Sequence, residues 1–209
     1  MATLLAASLL ALSGCGEHGP PAEKKVPRST PPEVAEEQPQ FHSTPIRQLA
    51  AREFERLPRP IVRALEANGC TIPQTWLFDE RGNRLYKTPH NVVSGSFRRA
   101  GQIDWAVLCS HHDSSAIVIF WGGSESDTTV LQRSPDEGWT QDVDGRGNLG
   151  YSRLLGVASP KRILNHNPDV GPQTRSPALH DGIEDYFVEK GSTIYYIDKG
   201  RALELEGSD

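Results

Sequence analysis

The sequence predicts an α+β domain, mainly an antiparallel β meander with two short N-terminal helices packed on it. Three observations predict it. Residues 46–67 carry apolar side chains at helical spacing, interrupted by prolines. From Thr75 onward the period shortens, and runs rich in β-branched and aromatic residues alternate with polar turns. The chain then closes on two such runs around Asp198-Lys199-Gly200.

Taken in order, Ile46, Leu49, Ala50, Phe54 and Leu57 predict a first amphipathic helix, with Thr44 as cap and Pro45 in its first turn. Pro58 and Pro60 end it. A second short helix, near Ile61 to Ala67, stops at Asn68-Gly69. Trp76-Leu77-Phe78 and Arg84-Leu85-Tyr86 flank a polar turn and predict a hairpin. Strands follow at Asn91 to Phe97, Asp104 to Ser110 and Ser115 to Trp121. On the second of these, Trp105, Val107 and Cys109 alternate with Ala106, Leu108 and Ser110, so both faces are covered and the strand is central. Residues 122–150, dense in Gly, Ser and Asp, read as a looser region, and residues 165–180 as another loop. Between them Ser159-Pro160 caps one or two helical turns. Thr193 to Ile197 and Arg201 to Glu206 form the closing hairpin.

The amino terminus predicts an address. Leu4 to Leu12 is a nine-residue apolar run, long enough for a signal-peptide core and too short to span a bilayer. Leu12-Ser13-Gly14-Cys15 follows and closely resembles the lipobox of bacterial lipoproteins. The resemblance implies cleavage before Cys15, lipidation of its thiol and a membrane anchor of several acyl chains. Gly16 rather than Asp follows the cysteine, which in a two-membrane host implies the outer membrane, facing the periplasm. Met1-Ala2-Thr3 lacks the basic residues that normally open a signal peptide, which leaves an upstream start codon open. Residues 16–45 hold seven of the 16 prolines and few large apolar side chains, as a tether does. The expected organisation is therefore 1–14 signal peptide, 15–45 lipidated cysteine and linker, and 46–209 extracytoplasmic domain. Cys70 and Cys109 remain, and an exported chain with two such cysteines pairs them in a disulfide.

A second resemblance lies at Gly95-Ser96-Phe97-Arg98-Arg99-Ala100-Gly101-Gln102-Ile103-Asp104-Trp105-Ala106-Val107-Leu108. It is similar to one unit of the FG-GAP (VCBS-type) repeat family, whose acidic loop joins two strands and often holds calcium. Gly95, Phe97, Gly101, Asp104, Ala106 and Val107 match. Ser96, Arg98 and Ala100 stand where calcium oxygens belong, so the turn is kept and the ion lost. Gly95, Gly101 and Asp104 are then turn-structural residues. The stretches Gly69 to Gln74 and Asp104 to Cys109 also resemble a group of small bacterial lipoproteins, which implies an envelope address and no particular activity.

Composition excludes some classes. With 22 basic against 27 acidic residues, no cationic excess exists to displace counterions from a nucleic acid. The first 45 residues hold 3 basic and 5 acidic groups, so the rest carries only 19 − 22 = −3. His111 or His112 with His180 and Asp181 would suit zinc in a metal-dependent hydrolase, against a plainer reading as loop ends. Asp142, Asp144 and Asn148 suggest a calcium loop, but Arg146 and Arg153 occupy ligand positions. Gly145-x-Gly147-x-x-Gly150 lacks the buried strand and following helix of a dinucleotide site, and Gly122-Gly123-Ser124-Glu125-Ser126 is no nucleophile elbow. Trp121 and Trp139, beside glycine-rich loops, are candidate contact surfaces. The reading is a lipid-anchored envelope protein with a non-catalytic binding or structural domain. No cofactor is expected, with zinc or calcium belonging to the two alternatives. The partners are the membrane and an envelope protein or glycan.

Overall fold

The computed structural model describes residues 41–79, 81–86, 89–164 and 178–207. In chain order its elements are β1 (His42–Ser43), β2 (Gln48–Ala50), α1 (Arg59–Ala67), β3 (Thr71–Pro73), β4 (Val92–Gly95), β5 (Asp104–His111), β6 (Ser114–Phe120) and β7 (Thr128–Pro135). There follow β8 (Thr140–Asp142), β9 (Asn148–Tyr151), β10 (Arg153–Ala158), α2 (Pro160–Leu164), β11 (Gly182–Phe187), β12 (Gly191–Asp198) and β13 (Arg201–Glu206). The architecture is mostly antiparallel sheet with few helices.

Two sheets carry the fold. The first runs β2-β3-β5-β6-β7, with β4 also paired to β5; the second runs β10-β11-β12-β13. A small third sheet, β1-β9-β8, contains a parallel pairing, β1 with β9. β5 is central, as its two-sided apolar alternation predicts. Ala106 and Leu108, with Ile117 and Ile119 of β6, pack against Leu155, Ile183, Tyr195 and Ile197 of the second sheet. Val107, with Phe120 and the half-buried Trp105 and Cys109, packs on Ile61 and Leu65 of α1. α2 covers the outer face of the second sheet, where Ile163 meets Ala158, Ile194 and Leu205. Each fully buried aliphatic side chain contributes roughly 1.5–3 kcal/mol, so these three cores hold the layers together.

Turn chemistry fixes the registers. β5 and β6 pair from Trp105↔Phe120 to His111↔Ser114. The two-residue connection, His112-Asp113, has both φ angles positive (51° and 56°), the twist-matched geometry of a tight hairpin. α1 ends as expected at Asn68-Gly69: Gly69, at φ 63°, donates to Glu66 O, and Cys70 donates to Leu65 O. The disulfide joins Cys70 to Cys109 with a Cα separation of 5.4 Å, fastening the end of α1 to β5.

Several elements depart from the sequence reading. Residues 46–57 do not form the first helix. Gln48–Ala50 instead pairs with Thr71–Pro73 as β2, and a single 3-10 turn, Ala51–Glu53, follows. A helix that short is marginal alone, whereas β2 gains a ladder and buries Leu49 against the disulfide-anchored β3. The hairpin around Asp79–Asn83 is present but short: Phe78 and Arg84 form an antiparallel bridge, Leu85 donates to Leu77 O at 2.9 Å and Asp79 to Asn83 O at 2.9 Å. Residues 122–150 hold β7, β8 and β9 rather than loose loop. β7 reads as polar because it is an edge strand, with alternate residues in solvent. β10 and β11 were also not legible, because Arg153, Glu184 and Asp185 interrupt their apolar pattern while lying buried in the strands. The loop expected at 165–180 falls largely outside the described residues.

Candidate functional site

The FG-GAP-like segment forms a closed turn. Asp104 is fully buried. Its Oδ2 accepts from the Phe97 and Arg98 N–H groups at 2.9 and 3.0 Å, and its Oδ1 from the Gly122 N–H at 2.7 Å and from the Gln102 side-chain amide. Those four N–H groups saturate the carboxylate that a cation would otherwise use. Gly95 has no room for a side chain: a Cβ there would meet the Phe97 ring at 2.7 Å and Asp181 Oδ2 at 3.1 Å. Gly101 takes φ 78°, which a side chain would strain. The Arg98 guanidinium makes a forked pair with Asp127 and lies over the Trp121 ring.

The histidines do not converge. His111 ends β5 beside Gly69, its ring 3.8 Å from that of His112. His180 stacks on Tyr196 at 4.4 Å, and Asp181 Oδ2 accepts the Ser96 N–H at 2.9 Å. Ser96 adjoins Gly95, which pairs with Asp104 at the opposite end of β5. At about 3.3 Å per residue the two sets lie roughly 23 Å apart. Among the described residues no three His, Cys, Asp or Glu side chains are placed to hold one ion. In the Asp142–Asn148 loop, Asp142 accepts backbone N–H groups from Asp144, Gly145 and Gly147. The bond from Gly147, ahead of the others, holds its carboxyl below the usual range. Asp144 accepts from the Arg146 N–H and the Asn148 side chain.

Of the two tryptophans expected at a contact surface, Trp121 is buried. Trp121 is 4% exposed and its Nε1 donates to Thr129 Oγ1. Trp139 is half-buried, donates to Ser134 Oγ and stacks on Arg153 with the guanidinium carbon 4.2 Å from the ring centre.

That arginine anchors a buried network invisible to sequence reasoning. Arg153 is 0% exposed between the sheets. Its Nε and Nη2 donate to the two oxygens of Asp185 at 2.9 and 2.8 Å. Nη1 donates to Ser115 Oγ at 2.9 Å, and Nη2 to Gln132 O at 3.2 Å. The last contact exists because β7 bulges opposite Ser115 and Ile117, with Gln132 at φ 46°. Burial opposes the guanidinium charge, but the hydrogen bonds and charge of Asp185 outweigh it and raise the pKa of Arg153. Burial likewise pushes the Tyr151 phenol upward, and its hydroxyl lies 3.2 Å from Ser115 Oγ. The Arg153–Asp185 pair at its centre is buried and joins the two sheets through Ser115.

A cleft lies elsewhere, beside β4. It encloses about 650 Å³, within the usual range for binding clefts. Phe54, Leu57 and Trp105, Val92, Val93 and Ser94, and Val157 of β10 line it, with the charged Glu53, Glu55 and Arg56. Asn91, just before β4, is tied to Pro73 and to β10. Its φ is 71°, its Oδ1 accepts the Leu155 N–H at 2.9 Å, and its Nδ2 donates to Pro73 O at 2.6 Å. At the other end Ser96 exchanges bonds with Asp181. Neither Asn91 nor this cleft carried a sequence signal, because its walls come from three separated stretches.

Comparison of the chain with protein-family profiles, with curated proteins and with solved structures found no match.

Proposed function

We propose that the protein is a lipid-anchored component of the bacterial cell envelope whose β-rich domain binds another envelope component and catalyses no reaction. The observation that carries the reading is Leu12-Ser13-Gly14-Cys15 followed at once by the proline-rich segment 16–45. Cleavage before Cys15 and acylation of its thiol would leave the domain on a tether at the membrane surface, since several acyl chains anchor durably where one does not. With Gly16 after the cysteine, the outer membrane of a two-membrane host is its address, facing the periplasm.

Two structural features support the reading. The Cys70–Cys109 disulfide suits an oxidising compartment outside the cytoplasm. The cleft at β4 offers apolar walls and backbone edge, the materials of recognition. The lipobox resemblance assigns the anchor to Cys15. The test is metabolic labelling with radioactive palmitate in cells expressing the wild type or Cys15→Ser. Label on the wild type alone, with the variant unprocessed, supports the reading; equal labelling of both, or of neither, overturns it.

A further inference from the structure

We propose that His90 is a pH-sensitive latch. As a neutral imidazole it pins residues 89–91, which lead into β4 beside the cleft, to the end of β3, and protonation of its Nε2 releases them. The device goes beyond the binding role proposed above and does not depend on it.

One donor in this clasp cannot change sides. The Thr75 N–H points at His90 Nε2, at 2.6 Å. A backbone N–H donates at every pH, so Nε2 must offer its lone pair and the ring proton must sit on Nδ1. A proton added to Nε2 takes that lone pair and leaves two N–H groups head to head. Thr75 is 0% exposed, so no water replaces the lost acceptor while the segment stays closed. The cationic ring and the closed segment therefore exclude each other.

Two further bonds complete the clasp. The His90 N–H donates to Gln74 Oε1 at 3.0 Å, and Gln74 Nε2 donates to His90 O at 3.1 Å. Of the three bonds, the one to the ring is the one that titrates. Its loss reaches both neighbouring strands. Thr75 Oγ1 donates to Arg153 O at 2.6 Å, and Asn91 Nδ2 donates to that carbonyl and to Pro73 O. β3, β4 and β10 thus meet at the clasp. Pro89 and Val92, on either side of it in the chain, both line the cleft.

The surroundings leave the ring as the responsive group. Tyr86 stands beside it with ring centres 5.4 Å apart, and burial followed by Glu189 raises its phenol, so it stays uncharged. Towards β2, Arg47 supplies the carbonyl that takes the Gln74 N–H and is itself exposed. On β10, Arg153 is paired with Asp185. The other described histidines differ. His42, His111 and His112 are exposed, and His180 Nδ1 faces the Asp181 carbonyl, a partner that a cationic ring keeps. Because the folded state holds His90 neutral, the latch contributes fully above about pH 6.5, the ordinary imidazole value, and is lost as the pH falls through the lower folded value.

The test follows amide exchange in the full chain by NMR, expressed as protection relative to unstructured peptide at each pH. Between about pH 7.5 and about pH 5, protection of the Thr75 amide should fall about tenfold or more, the loss expected from one hydrogen bond. The β6 amides should keep theirs. His90→Gln places a carboxamide oxygen near Nε2 that accepts the same N–H and does not titrate, so Thr75 should stay protected at both pH values. His90→Phe offers no acceptor and should leave Thr75 weakly protected at both; His90→Gln carries the test if that variant fails to fold. Wild-type protection unchanged across the range, or a fall that persists in His90→Gln, would overturn the proposal. So would an equal fall throughout β6, which would assign the change to global unfolding, or a His90 ring that titrates at about 6.5 or above while Thr75 stays protected.

Discussion

Replacing Arg153 by methionine tests the account of how the two sheets cohere. The guanidinium satisfies both oxygens of Asp185, the Ser115 hydroxyl and the Gln132 carbonyl in a site with no solvent access. Arg153→Met fills much of the volume but strands the Asp185 carboxylate, whose side chain is 2% exposed. Breaking a buried pair by removing one partner costs about 3–5 kcal/mol, because the remaining charge has neither water nor a counter-ion. At about 2–4 °C per kcal/mol for a domain of this size, the melting temperature should fall by roughly 10 °C. The double variant Arg153→Met with Asp185→Leu removes both charges and should recover most of that loss, since an apolar replacement of the whole pair is often neutral. Urea unfolding followed by tryptophan fluorescence gives both numbers, and Trp139, stacked on the guanidinium, makes the signal local. A single variant within about 0.5 kcal/mol of wild type, or a double variant as unstable as the two singles added, would refute the reasoning.

Three further expectations follow from the same contacts. Cys70→Ser with Cys109→Ser opens a loop of 39 residues and should cost about 4 kcal/mol in chain-entropy terms, measured as a lower urea midpoint under non-reducing conditions. Asp104→Ala leaves the Phe97, Arg98 and Gly122 N–H groups without their acceptor and should cost about 3 kcal/mol or more, a loss that added calcium does not restore in a thermal melt. Glu184 is buried, which alone would raise its pKa, but hydrogen bonds from Arg162, Tyr186 and Ser192 outweigh burial and hold it below the ordinary 4.5. Its contribution to stability is therefore full above pH 4.5 and lost as the pH falls through the depressed folded value. Glu184→Gln should flatten the acid limb of the stability profile, and an unchanged limb would argue against the assignment.

The parts of the fold legible from sequence were those whose burial pattern is uniform along a strand. β5 shows its two apolar faces directly, and the closing β12–β13 hairpin shows its Asp198-Lys199-Gly200 turn. The end of α1 was marked by Asn68-Gly69, and the Cys70–Cys109 pair by compartment logic. β10 and β11 hid because buried charges sit where alternation calls for apolar residues; Arg153 and Asp185 look like surface residues until they are seen to pair across the sheet. The supposed helix at 46–57 failed because tertiary pairing to β3 overrides local spacing. The glycines beside Trp121 suggest an exposed contact surface, yet they let the chain turn and bury the ring. The cleft at β4 depends on backbone groups and on walls from three separated stretches, and no residue pattern announces such a place.

The central claim, a domain tethered by lipid at Cys15, is tested most directly by the mass of the mature amino-terminal peptide from protein purified out of membranes. The account predicts a peptide that begins at Cys15, carries a thioether-linked diacylglycerol and has an acylated amino group. A peptide that reads through Leu12-Ser13-Gly14-Cys15 uncleaved, or begins at Cys15 with a free thiol, would contradict it.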